Sequence, residues 1–582
     1  MAKRPKSQAS KQGRASEPGL HEPASGPARL WSRGRSFFIV CLRSPLTALL
    51  FFCCVATTSV RHASATFDEP IILASGAHFL STGDPSVNAE NPPLLKALYA
   101  VPIALYGKLD AYRNAPDSVH STYDAAFGFD YANGCFFSSG NHRDILFACR
   151  FVAILLAALF GYALFLTAVR VFDRGVAILI LWLFCLCPNI LANATLATLD
   201  LGCAYFMFLA TVLFHRSLTD KRFTFAPLCG LASGAALLTK YTAILLFASM
   251  ALQFSLALIR TRTTFLPRGI CLVRATLIAA IALCMVGAGY GFNGIGHALS
   301  DGSFRSTLMG ASAKIGIVNE LARLFPSGYL RGFDITAYLN DAGLFNICMG
   351  KLLEKGGRCW YYYPALAAVK IPLPMLAAAG AGLWLAVTRK IAVRWEGFAF
   401  FAILPALTLF NFSFIASRQL GLRYILAAWP FFLLLPGYLA LALRNGPRVH
   451  RRIWTGLLLW YALGTISVYP HFLTYFNLLG GGPKNGWKFF ADSNHDWGQD
   501  LPLLSDWQRL HGNPPMLVFC FGSAPLEAYG VYSMDVNNAS LRYIAISTTN
   551  TYFYRRIPSI QRLLTSRKPA AQLGNTILIY EL

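Results

Sequence analysis

The stretch Glu90-Asn91-Pro92-Pro93-Leu94-Leu95-Lys96-Ala97-Leu98-Tyr99-Ala100-Val101-Pro102-Ile103-Ala104-Leu105-Tyr106-Gly107 decides how the chain is threaded. Its apolar part, 93–107, is shorter than the roughly 20 residues a helix needs to cross a hydrocarbon core. Other apolar runs lie near 37–60, 148–171, 174–193, 199–217, 223–239, 241–259, 271–291, 364–388, 396–415, 421–443 and 453–470. If 93–107 crosses, every later loop changes sides. If it does not, one side collects Arg170 and Arg174; Arg216, Lys221 and Arg222; Arg260, Arg262 and Arg268; Arg389, Lys390 and Arg394; and Arg444, Arg448, Arg451 and Arg452. Short basic loops stay in the cytoplasm, so the second threading is favoured. The stretch is then an interfacial or re-entrant helix on the outer side, and 11 spans remain.

The rest of the chain agrees with a polytopic α-helical membrane protein. Of 582 residues, 55% are hydrophobic and only 13% charged, where soluble domains hold about 25% charged. Disorder, collagen and a small disulfide scaffold are excluded by the same figures. The net charge of +24 does not point to nucleic acid, because most basic residues sit in short loops between apolar runs. Residues 1–36 read as a disordered basic cytoplasmic tail, with no small-residue cleavage site after the first apolar run. Arg33, Arg35 and Arg43 flank that run, so the N-terminus is expected inside and the C-terminus outside.

Three long segments then face outward: the first loop, 61–147, a central loop, 292–363, and the tail, 471–582. The module 37–470 carries the spans, and the tail reads as a small α/β domain. Leu501, Leu503, Leu504, Trp507 and Leu510 suit an amphipathic helix, while 516–521, 543–546 and 577–580 suit strands. Most of the 14 cysteines fall in spans, where they act as small apolar residues. Cys348 and Cys359 leave two readings open, a bridge or two free thiols.

Acids and bases gather at the outer ends of spans. Asp68 and Glu69 follow span 1, Glu90 precedes the Pro92-Pro93 pair, and Asp200 opens span 4. Taken singly, Asp68-Glu69 reads as a solvated loop start and Asp200 as a helix cap. Four acids at one depth on one face read instead as a functional site. Lys240, Lys370, Arg418 and Arg423 lie at the same face; singly each suits snorkelling, and together they suit a phosphate.

Seven stretches in chain order resemble one family. They are Asp68-Glu69; Glu90-Asn91-Pro92-Pro93-Leu94; Pro188-Asn189 through Thr198-Leu199-Asp200; Leu237-Leu238-Thr239-Lys240-Tyr241; Tyr361-Tyr362-Tyr363-Pro364 with Lys370-Ile371-Pro372-Leu373-Pro374; Gly421-Leu422-Arg423-Tyr424; and Tyr475-Phe476-Asn477 with Asp492-Ser493-Asn494-His495-Asp496-Trp497-Gly498-Gln499-Asp500. The chain thereby resembles the polyprenyl-phosphate-sugar-dependent glycosyltransferases of the GT-C superfamily. The nearest group is family 39, with the protein O-mannosyltransferases and the lipid A aminoarabinose transferase. Asn91 departs from the pattern, where relatives often carry a basic residue or His, and so does Ala427-Ala428, where Leu-Pro is common.

The resemblance implies transfer of a sugar from a polyprenyl phosphate to an acceptor hydroxyl on the extracytoplasmic side. It implies Asp68 as base, with Glu69 and Glu90 orienting it or binding hydroxyls. Asp200 would assist, as a ligand if a divalent metal takes part. Lys240 and Arg423 are the first phosphate candidates, followed by Lys370 and Arg418. Asp492, Asn494, Asp496 and Trp497 suit either sugar binding or a polar hinge that docks the outer domain. Lipid, polysaccharide and protein are all compatible acceptors, and a bacterial inner membrane is the expected location. Asn538-Ala539-Ser540 matches an N-glycosylation acceptor, used only in a eukaryotic lumen. Two rival readings are a transporter, which predicts inverted repeats not found here, and a non-catalytic subunit, which would have lost the acids.

Overall fold

The computed structural model describes residues 44–582 apart from 121, 139, 260–264, 389–394, 445 and 538–539. The basic tail, Arg33, Arg35, Arg43, Arg260, Arg262, Arg389, Lys390, Arg394 and the Asn538-Ala539 step lie outside the described residues.

Helices dominate. Among the described residues, five are long and apolar enough to cross a membrane: His142–Val171, Leu199–Thr219, Tyr241–Ile259, Arg268–Gly289 and Leu422–Arg444. Two bent pairs raise the number to 7 if each is one span. Arg174–Cys185 meets Pro188–Ala194 at 62°, and Tyr362–Lys370 meets Leu373–Val387 at 116°. Proline explains both bends, since Pro188 opens the second member of one pair and Pro372 caps that of the other. The remaining apolar runs fold as the shorter helices Pro45–Val60, Phe225–Leu237 and Phe400–Ile415, and as Arg448–Ile466, which starts on a basic turn. The protein is a polytopic, largely helical integral membrane protein.

The short apolar stretch 93–107 forms the helix Pro93–Leu105. Its 13 residues reach about 20 Å, short of a hydrocarbon core of roughly 30 Å. It packs on the helix Glu69–Thr82, whose first ten residues are all buried. Ile71, Leu73, Ala77, Leu95, Tyr99 and Ile103 form a core there, separate from the main one between the long helices. The helices Glu69–Thr82 and Pro93–Leu105 therefore share an apolar centre of their own, which can hold an acid in a fixed place.

Near the C-terminus lies a four-stranded sheet. Its order is Met516–Phe519, Tyr543–Ser547, Ile577–Glu581, Ala571–Leu573. The first pair is parallel and the others antiparallel. Alternate residues serve two faces. Ala545, Ile577 and Ile579 pack with Leu501 and Leu504 of the helix Leu501–Leu510. Ile546, Leu578 and Tyr580 pack with Ile560 and Leu563 of the helix Pro558–Ser566.

Candidate active site

Asp68 stands at the mouth of a helix and is held from below. The next residue, Glu69, is fully buried. Arg150, projecting from His142–Val171, donates to both its oxygens, Nε to Oε1 at 2.8 Å and Nη2 to Oε2 at 2.6 Å. The same guanidinium donates to the carbonyls of Ala63 and Ser64. Glu69 also accepts from the amide and hydroxyl of Thr66 and from the amide of Ala197. Burial pushes the Glu69 carboxyl up, but Arg150 and the two amides outweigh it and hold it below its ordinary value. Glu69 is thus a paired, buried carboxylate rather than a free acid. It fixes residues 63–69 against two long helices and leaves Asp68 as the exposed member of the pair.

A chain of alternating charge starts at Asp68. Its Oδ2 accepts from Arg423 Nη1 at 2.6 Å. Arg423 Nη1 lies 3.6 Å from Asp200 Oδ2, and Asp200 Oδ1 accepts from Lys240 Nζ at 2.5 Å. Beside this row, Arg418 Nη1 lies 3.5 Å from Glu90 Oε2, and Arg418 Nε is buried without a hydrogen-bond partner. Asp68 and Glu90 keep about a quarter of their side-chain surface exposed, whereas Asp200 is almost wholly covered. Aromatic rings wall the row: Arg423 lies 4.3 Å over Trp497, and Lys240 lies 4.6 Å over Tyr424. A narrow pocket runs on from here, lined by Asp200, Met207, Lys240, Phe412, Arg423 and Tyr424.

Glu90 is held through its backbone. Lys96 Nζ donates to the carbonyls of Val87 and Asn88, and Thr336 Oγ1 donates to the carbonyl of Glu90. The turn carrying Glu90 is thus locked between Pro93–Leu105 and the central-loop helix Ser327–Ala342.

The structure brings Asp68, Glu90, Asp200, Lys240, Arg418 and Arg423 together. It corrects the place of Lys370. That ammonium is buried, spends two of its three N–H donors on the carbonyls of Leu473 and Tyr475, and lies 4.6 Å over the Phe476 ring, so it ties two segments together. The two Asp200 oxygens face an ammonium and a guanidinium.

The segment 492–500 forms a clasp. The amide of Phe67 donates to the Trp497 carbonyl, and the amide of Ser64 donates to the Gln499 carbonyl. Asn494 Oδ1 accepts from the Leu422 amide, next to Arg423, and its Nδ2 donates to the Tyr362 hydroxyl. Asp496 accepts from the amides of Thr549 and Gly498. Burial raises that carboxyl to about 6, against the opposing pull of the amides. Burial likewise pushes the His495 imidazole down to about 3, so it stays neutral and donates from Nε2 to the Pro483 carbonyl. Of the four candidates in this segment, only Trp497 and Asp492 adjoin the charged row. Asp492 feels both Arg423 and Asp68, and burial raises its carboxyl.

Comparison with known proteins bears on this site. Residues 142–286 match the family model described as dolichyl-phosphate-mannose-protein mannosyltransferase. That region contains Arg150, Asp200 and Lys240. The match supports a membrane glycosyltransferase that draws on a lipid-linked sugar. No curated protein matches the chain in sequence. Several solved structures are loosely similar. ArnT from Cupriavidus metallidurans in the apo state is 14% identical over 96% of this chain and 98% of that one, with a TM-score of 0.44. The same protein bound to undecaprenyl phosphate is 12% identical over 92% and 97%, at 0.46. An oligosaccharyltransferase from Archaeoglobus fulgidus, with Zn and sulfate, is 10% identical over 88% and 69%, at 0.44.

Two residues escaped the sequence reading. Arg150 could have been found as a guanidinium inside the apolar run 148–171, far from its basic end at Arg170, itself a signal of function or pairing. Tyr424, which walls Lys240, carried no such signal, because an aromatic ring at a span end is ordinary.

Proposed function

We propose that this protein transfers a sugar from a polyprenyl-phosphate donor to an acceptor hydroxyl on the extracytoplasmic side of a membrane. The observation that carries the reading is the row Asp68, Arg423, Asp200, Lys240, in which a partly exposed carboxylate touches a guanidinium at the mouth of a pocket. At rest Asp68 and Arg423 neutralise one another. A donor phosphate entering beside Lys240 competes for Arg423 and frees the Asp68 carboxylate. Asp68 then takes the acceptor proton as the acceptor oxygen bonds to the anomeric carbon. The bond from that carbon to the phosphate oxygen breaks, and its electron pair leaves on the polyprenyl phosphate. Arg423 and Lys240 stabilise that charge, and Arg418 with its free Nε stands near Glu90 to hold sugar or phosphate oxygens.

A transfer assay tests this. Membranes holding the protein are incubated with radiolabelled polyprenyl-phosphate hexoses and an envelope extract as acceptor. Wild type is expected to transfer label, and Asp68→Asn to lose roughly 100-fold or more in rate with donor binding kept. Equal transfer by both removes the role given to Asp68.

A further inference from the structure

Away from the charged row, in the same outer loop, three ligand-type atoms converge. They are His78 Nε2, Asp84 Oδ2 and His120 Nδ1, all within 4.8 Å of one another. His78 Nε2 lies 3.6 Å from Asp84 Oδ2, and His120 Nδ1 lies 3.1 Å from it. Atoms bound tetrahedrally to one zinc ion lie about 3.3 Å apart, given bonds of about 2.0–2.1 Å.

The proton positions make the cluster incomplete as it stands. His78 Nδ1 lies 2.8 Å from the Tyr112 carbonyl, which only accepts, so the ring proton sits on Nδ1. In the neutral ring that leaves a lone pair on Nε2, which faces Asp84. The side chain is 3% exposed, and Nε2 has no hydrogen-bond partner. His120 Nε2 likewise faces the Ala115 carbonyl, which in the neutral ring puts the one lone pair on Nδ1. Ser86 Oγ lies 2.6 Å from His120 Nδ1 and 2.8 Å from Asp84 Oδ2, but its single proton serves one of them. Three electron-rich atoms thus share one proton donor.

We infer that His78, Asp84 and His120 bind one divalent transition-metal ion, Zn²⁺ foremost. Two imidazoles and a carboxylate select Zn²⁺ over Mg²⁺ and Ca²⁺, which prefer oxygen ligands throughout. The Tyr112 and Ala115 carbonyls fix the tautomers, as outer-shell acceptors do at zinc sites. The backbone is prepared for it. Gly83 ends the helix Glu69–Thr82 at φ 76°, which turns Asp84 back toward His78. Val87 forms a bridge pair with His120. The ion therefore closes the chain between 78 and 120 and pins the turn that leads to Glu90. It stands apart from the proposed transfer chemistry and does not depend on it.

The full-length protein, purified in detergent, is loaded with Zn²⁺, desalted and assayed for metal by mass spectrometry. Wild type is expected to keep about one equivalent that His120→Gln and Asp84→Asn do not keep. His511→Gln, outside the cluster, keeps the full load. Elution profile and melting temperature, read without metal, show that the two variants remain folded, since both residues are partly exposed. Cobalt loading gives the second readout: d–d bands without a thiolate charge-transfer band place the ion on nitrogen and oxygen. Wild type without a stoichiometric ion, an unchanged load in His120→Gln, or a thiolate band each overturn the assignment.

Discussion

Glu69 and Arg150 decide whether Asp68 has a fixed position. Both charges are buried, so removing one leaves the other uncompensated at a cost of about 3–5 kcal/mol. Arg150→Met is therefore expected to lower the melting temperature in detergent by several degrees and to reduce transfer. The carboxyl also sets an acid limit. A folded value below the unfolded value of about 4.3 contributes stability above that pH. The contribution is lost as pH falls through the folded value. Melting temperature against pH is expected to fall more steeply below about pH 4 in wild type than in Glu69→Gln, which is less stable throughout. Arg423→Lys tests the phosphate role: an ammonium keeps the charge but loses the planar guanidinium that donates from Nη1 to Asp68 and lies over Trp497. Donor KM is expected to rise about 10-fold or more, with melting temperature nearly unchanged. At this scale the sequence picked out Asp68, Asp200, Lys240 and Arg423, which the fold brings into one row, because a charge at a span end is rare enough to stand out. It misled at Lys370, since nothing local shows that two carbonyls from residues 473 and 475 fold back over that ammonium.

Among the elements, the central-loop helix Ser327–Ala342 carries a consequence for Glu90. A methyl added at Gly332 would lie 2.0 Å from the Tyr241 hydroxyl and 2.3 Å from the Ala89 carbonyl. The carbonyl is backbone and cannot swing away, so the helix or the Glu90 turn must shift. Gly332→Ala is expected to lower transfer at least as much as removing the Glu90 carboxylate by Glu90→Gln, measured in the same assay. Tyr241→Phe added to it restores little, because the carbonyl clash remains. The long helices, the helix Leu501–Leu510 and three of the four sheet strands were legible by their apolar period. The strand Ala571–Leu573 was not, because three half-buried residues at a sheet edge carry no period. Nor was the packed core of the first outer loop. Its helix Glu69–Thr82 is buried on every side over ten residues, so it lacks the polar face that marks a helix at a surface.

The arrangement of the whole molecule rests on one short helix. If Pro93–Leu105 lies at the outer face, Asp68, Glu90, Asp200 and Arg423 share a side, as their contacts require. The basic loops Arg216–Arg222 and Arg444–Arg452 then share the other. Charge and contact geometry are independent arguments, and they agree. The ion pairs Arg423–Asp68 and Arg418–Glu90 join the first outer loop to the turn between two later helices, which fixes both to one face whatever that face is called. Which face is outward follows from the basic loops alone and is open to direct test. Leu105 is 81% exposed at the end of the short helix, and Lys221 is exposed in a basic loop. A membrane-impermeant maleimide on intact cells is expected to label Leu105→Cys above the wild-type background. Lys221→Cys should react only after permeabilisation. The reverse pattern would turn the molecule over, and the charged row would then face a compartment where soluble sugar donors compete with a lipid-borne one.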